Sequence, residues 1–64
     1  MCLSKAYLAG NGEKVLVMDD VGSVEIMDNK LLLKTLFGEE KEIAAEIKKI
    51  DFVANNIILE HINN

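Results

Sequence analysis

The chain has 64 residues, with seven lysines and no arginine against eleven acidic residues, and a formal net charge of −4 at pH 7. A chain of this length forms one domain at most, residues 1–64, and leaves apolar surface uncovered, so we expect it to pair with itself as a homodimer. The acidic balance and the three aromatic residues argue against nucleic acid as a partner. With one cysteine, no run of 18 apolar residues and no secretory leader, the sequence predicts a cytoplasmic protein without membrane contact.

The first half of the chain predicts three strands. Apolar runs that are separated by turn residues place these strands at 2–8, 13–18 and 21–27. The turn at 9–12 offers two positions that tolerate positive φ, which is typical of a hairpin. Asp19 and Asp20 interrupt the apolar run before the third strand, and Gly22 indicates a bulge or a tight bend, as at the corner of a barrel.

The second half predicts a strand, a hairpin and one ambiguous window. Residues 31–37 are apolar on both sides, like a strand that is covered on both faces, and one of these faces is a candidate surface for a partner. Residues 50–53 and 57–60 flank an Ala-Asn-Asn turn. The window 39–49 has helical spacing, but its isoleucines also alternate as in a strand. We expect an all-β barrel of five to six antiparallel strands, with a helical turn near residues 39–49 as the alternative.

Cys2 is the residue of most chemical interest because it directly follows Met1. Removal of Met1 would place a thiolate and a free α-amine on Cys2, and these two donors could close a chelate ring on a metal. The backbone nitrogen of Leu3, once deprotonated, could close a second ring. A flat set of nitrogen and sulfur donors suits Ni(II) or Cu(II), whereas a tetrahedral set suits Zn(II). The alternative is a half-buried, purely structural Cys2.

The other candidate residues are weaker candidates for a metal or catalytic site. His61, the only histidine, is a weaker candidate for a metal ligand, on the condition that the last strand lies beside Cys2 in a dimer. Otherwise His61 is a solvated or half-buried residue of that strand. Asp19 and Asp20 lack the spaced oxygen ligands of a calcium loop and are read as a polar turn. A terminal thiol without a pocket or oxyanion donors does not make a nucleophilic site, so we expect no enzyme activity.

Four segments give the chain a resemblance to the CooT family of small nickel-binding accessory proteins. The segments are Met-Cys-Leu-Ser-Lys at 1–5, Thr-Leu-Phe-Gly-Glu-Glu-Lys at 35–41, Ile-Lys-Lys-Ile-Asp-Phe at 47–52 and Ile-Ile-Leu-Glu at 57–60. The Met-Cys start is also similar to that of the hydrogenase-assembly chaperone HypC, but the segment at 35–41 fits CooT better.

The resemblance implies a cytoplasmic homodimer with an SH3-like β-barrel, connected with nickel delivery to carbon monoxide dehydrogenase. The nickel-binding cysteine of the family corresponds to Cys2. We therefore expect a metallochaperone that holds Ni(II) through Cys2 and the Leu3 backbone nitrogen, with His61 as a further candidate, and that has a nickel enzyme as its client. The competing expectation is a small protein-interaction module with a structural Cys2; RNA binding is a third.

Overall fold

Residues 3–62, which a computed structural model describes, form a single six-stranded β-sheet. The strands in chain order are β1 (Ser4–Gly10), β2 (Glu13–Met27), β3 (Lys30–Thr35), β4 (Glu40–Ile43), β5 (Ala45–Asp51) and β6 (Asn56–His61). Their order across the sheet is β4-β3-β2-β1-β6-β5. The all-β class is confirmed. Within the described range, no helix has the length and apolar character needed to cross a membrane.

The sheet curls because its two edge strands follow one another in the chain. β4 and β5 lie at opposite edges of the sheet but are separated by Ala44 alone, so the edges must meet at that point. The backbone N–H of Ile62 donates to the Ala44 carbonyl at 3.3 Å, and β3 contacts β5 across the interior. One pair departs from the expected antiparallel arrangement, because β1 and β6 run parallel. The result is a half-barrel.

β2 is a single bent strand where the sequence predicts two. Asp20 takes a left-handed φ of 55°, and the register slips against β3 between Val21 and Ser23, which places a bulge at Gly22. Both halves of β2 keep a neighbour, β1 for the first half and β3 for the second, so the ladder continues through the bend. The expected corner at Gly22 is thus present within a strand, because a bulge bends a strand without ending its pairing.

Asparagine occupies a left-handed position in three of the four hairpin turns. Asn11, Asn29 and Asn55 have φ of 52°, 61° and 59°, and Gly12 follows Asn11 with φ of 78°. Asparagine is the non-glycine residue that tolerates this region best, and the Asn-Gly pair is the preferred two-residue hairpin turn. Two of these turns are the hairpins predicted from the sequence.

The window 39–49 forms β4 and β5, so the expected β structure is confirmed and the helical alternative is wrong. Ile43, Ala45 and Ile47 alternate toward the interior, where Ala45 is 2% exposed. Covering the open side of the barrel outweighs the local helical spacing. Among residues 3–62, the buried core consists of seven apolar residues contributed by five of the six strands: Ala6, Val21, Leu31, Leu33, Ala45, Ile57 and Leu59.

Candidate functional site

The start of β1 is held firmly on both sides. Ser4 pairs with Val21 of β2, and Lys5 pairs with Asn56 of β6. The backbone N–H of Lys5 donates to the Asn55 carbonyl at 3.0 Å. These contacts fix the position of residues 4 and 5, which directly follow the predicted ligand Leu3.

An ion pair reinforces this point. The Lys5 ammonium donates to both carboxylate oxygens of Asp19, at 3.2 and 3.3 Å, and the backbone N–H of Asp20 donates to the same carboxylate at 2.8 Å. The hydrogen bond with Lys5 lowers the pKa of Asp19, and the hydrogen bond with Asp19 raises the pKa of Lys5. Both side chains are exposed, so the pair orients the surface more than it stabilises the fold. Asp19 and Asp20 therefore form the bend of β2, and Asp19 also holds Lys5.

Cys2 lies outside the described residues, and Leu3 is the first residue within them. Leu3 is half-buried and directly precedes β1. Leu3 therefore adjoins the anchored start of β1, and the prediction that Cys2 and the Leu3 backbone nitrogen bind a metal stays a prediction.

His61 lies at the other end of the sheet from this site. It ends β6, pairs with Ala45, and follows Glu60, which pairs with Ala9 near the end of β1. Since β1 and β6 are parallel, His61 is about 20 Å along the strands from Ser4, at roughly 3.3 Å per residue. Within one chain the structure does not bring His61 toward the start of β1.

Two acidic residues that sequence reasoning missed lie beside His61. Glu46 and Glu60 are directly paired across β5 and β6, and both line a surface depression of about 490 Å³ together with His61. The like charges repel, and the Lys48 ammonium is 4.0 Å from the Glu60 carboxylate. Among residues 3–62 there is no group of three or more His, Cys, Asp or Glu side chains arranged to hold a metal ion.

Two turns flank the start of β1 and present exposed apolar side chains. Thr35, at the end of β3, pairs with Val21, which in turn pairs with Ser4, so Thr35 lies two strands from Ser4. In the turn that follows Thr35, the Phe37 side chain is 76% exposed. The β5–β6 turn adjoins Lys5 and exposes Phe52 by 83%. The sequence placed both phenylalanines in strands. Gly38 and Asp51, which are typical turn residues beside them, were the available signals of a turn.

A family model described as CO dehydrogenase accessory protein CooT matches residues 1–60. The chain belongs to the CooT family. Because the match begins at residue 1, it includes Cys2 and Leu3 as well as all of the six strands except the last residue of β6.

The chain is also similar to two individual proteins. An uncharacterised protein of Methanocaldococcus jannaschii is 47% identical over 60 residues, which cover 94% of this chain and 98% of that protein. A crystal structure of a protein assigned as CooT from Carboxydothermus hydrogenoformans superposes with a TM-score of 0.89 at 29% identity, covering 97% of this chain and 100% of the other. The CooT family is that of an accessory protein for an enzyme.

Proposed function

We propose that this CooT family member is a cytoplasmic nickel-binding accessory protein that delivers Ni(II) to an enzyme of the carbon monoxide dehydrogenase type and is not itself an enzyme. The observation that carries the proposal is the family match over residues 1–60, which includes Cys2 at its second position. The anchored start of β1 supports it, since a metal ligand next to a rigid scaffold can be presented to a client in a defined direction.

The proposed ligands are the thiolate and α-amine of Cys2 and the backbone nitrogen of Leu3, once Met1 has been removed. All three must lose protons before they bind, so nickel binding releases protons and weakens as the pH falls. Such a site also binds Cu(II), which stands above Ni(II) in the Irving–Williams order, so selectivity rests on metal availability and on the client. His61 can join this set only from a second subunit.

A homodimer is the second part of the proposal. In the described residues, nine large apolar side chains are exposed, and the core holds only two large fully buried side chains. Ile26 pairs with buried Leu31 and therefore faces the inside of the half-barrel, yet it is 74% exposed. It lines a groove of about 420 Å³ with Leu31, Ala45, Ile47 and Ile62. A second copy that covers this groove would complete the interior that one chain leaves open.

The test begins with an intact-mass measurement, which shows whether Met1 has been removed. Ni(II) is then titrated into the processed protein while the near-ultraviolet absorbance is followed, because nickel bound to a thiolate gives sulfur-to-metal bands. We expect these bands at one nickel per ligand set, weaker binding at low pH, and loss of the site in Cys2→Ser. His61→Ala is the matched control and should bind nickel like the parent when the ligand set lies within one chain. Equal nickel affinity in Cys2→Ser would leave Cys2 structural and favour the interaction-module alternative.

A further inference from the structure

Four of the most exposed apolar side chains belong to the two turns that flank the start of β1. We call them the apolar rim: Leu36, Phe37, Phe52 and Val53, with exposed fractions of 55%, 76%, 83% and 96%. The two turns lie at the same end of the sheet, about 14 Å apart along it at three strand spacings. Large apolar side chains that are exposed together at one end of a sheet mark interaction surfaces, whereas isolated exposed residues are ordinary. The apolar rim therefore requires an explanation that neither the core nor the groove provides.

Side-chain oxygens fix the shape of both turns. The Thr35 hydroxyl accepts hydrogen bonds from the N–H groups of Phe37 and Glu39, both at 3.1 Å. The Asp51 carboxylate accepts hydrogen bonds from the N–H groups of Val53 and Ala54, both at 3.0 Å, and these two bonds lower its pKa. A surface that is ordered before binding loses less conformational entropy on docking. The aromatic side chains are thus held outward by turns of defined geometry.

The charges beside the first turn of the apolar rim have a small negative excess, with four carboxylates against three ammonium groups. Asp19, Glu39, Glu40 and Lys41 line one depression beside the first turn, and the carboxylates of Asp19 and Glu40 are paired with Lys5 and Lys34. Asp20 and Glu39 have no salt bridge within residues 3–62, and the chain as a whole carries a net charge of −4. A complementary surface would be apolar with lysine or arginine around it.

We propose that the apolar rim is the surface with which this protein docks onto its client enzyme, at an apolar recess bordered by basic side chains. This inference rests on the proposed function, because it places the docking contact around the start of β1, which follows Cys2 and Leu3 in the chain. Four side chains in two turns suit a small, transient contact of the kind a delivery factor makes.

Two other occupants fit the apolar rim less well. A side chain that is 96% exposed, such as Val53, projects from the surface and fits a recess. The projecting rim of a second copy offers no recess, and the groove of a second copy is assigned to the proposed dimer contact. Single-stranded RNA could stack on Phe37 and Phe52, but the neighbouring carboxylates repel its phosphates.

The probe for the experiment is purified nickel-free carbon monoxide dehydrogenase, immobilised for equilibrium binding. We expect Phe37→Ser and Phe52→Ser each to weaken binding by about tenfold or more, since truncated aromatic anchors dominate such contacts. Glu39→Lys should also weaken it. Val15→Ser and Glu25→Lys are the matched controls, because Val15 and Glu25 are exposed on β2 away from both turns, and they should bind within about twofold of the parent. Nickel titration of every variant should match the parent.

The inference is overturned if the parent protein at about 100 μM shows no binding to the immobilised enzyme, or if Phe37→Ser and Phe52→Ser bind as Val15→Ser does. It is also overturned if these two variants dissociate a dimer, which would assign the apolar rim to a second copy, or if the parent binds a single-stranded RNA oligonucleotide through these phenylalanines. The proposed function and the docking inference can fail independently. If the enzyme binds through the apolar rim but the protein has no nickel site that depends on Cys2, nickel delivery is refuted and the docking surface is retained.

Discussion

Replacement of Ile26 by Ser tests the proposed dimer through the groove of the half-barrel. Ile26 pairs with buried Leu31 and so faces the interior side of the sheet, yet 74% of it is exposed in the described part of the chain. Full burial of an isoleucine side chain stabilises by about 1.5–3 kcal/mol, so covering the exposed part of Ile26 contributes about 1–2 kcal/mol.

A symmetric interface contains the same residue twice, because each copy presents the same surface to the other. The substitution therefore removes about 2–4 kcal/mol from the free energy of association, which corresponds to a rise in the dimer dissociation constant of roughly 30- to 700-fold. The folding of the single chain should change little, since Ile26 is mostly exposed in it.

Sedimentation equilibrium over a range of protein concentrations measures this constant directly. Leu16→Ser is the matched control, because Leu16 is 50% exposed on the opposite face of the sheet, where it pairs with Tyr7. We expect the control to dimerise like the parent. An unchanged dissociation constant in Ile26→Ser, or an equal rise in Leu16→Ser, would refute the assignment of the groove, and a monomeric parent would refute the dimer.

Two further predictions concern stability. Leu33→Ala removes a side chain with 0% exposure and should cost about 3 kcal/mol, against a total of roughly 3–10 kcal/mol for a chain of this size, so thermal denaturation should begin near room temperature. Leu16→Ala is its control, and equal losses in the two variants would contradict the core assignment. The pKa of Asp51 is lowered in the folded state, because its carboxylate accepts hydrogen bonds from the backbone of the turn. The contribution of this carboxylate to folding stability is therefore complete above the ordinary pKa of an aspartate, and it is lost as the pH falls through the pKa of the folded state. Asp51→Ala should therefore lower the melting temperature at pH 7, and the difference in melting temperature between variant and parent should narrow below about pH 4. If this difference does not change with pH, the charge of the carboxylate is not what holds the turn.

Much of the fold could be predicted from the sequence because turn residues and alternation act locally. The Asn11-Gly12 hairpin, the Gly22 bulge and the Asn55 turn all follow from which residues tolerate a positive φ or a bend. Two features could not be predicted, because they depend on partners distant in sequence. These are the parallel pairing of β1 with β6 and the continuation of β2 through the Asp pair.

Less of the candidate site could be predicted. The sequence singled out Cys2 by its position, but the distance between His61 and the start of β1 depends on the direction in which β6 runs. Phe37 and Phe52 read as strand residues because aromatic residues favour strands. Their exposure results from the hydrogen bonds of Thr35 and Asp51, which end the strands just before them.

Nickel bound through the sulfur of Cys2 is the central proposal, and X-ray absorption at the nickel edge of the stoichiometric complex tests it most directly. The sample is the protein after Met1 removal, confirmed by its intact mass. We expect one sulfur scatterer per nickel from each contributing Cys2, together with nitrogen neighbours. A nickel environment of nitrogen and oxygen alone would contradict the proposal.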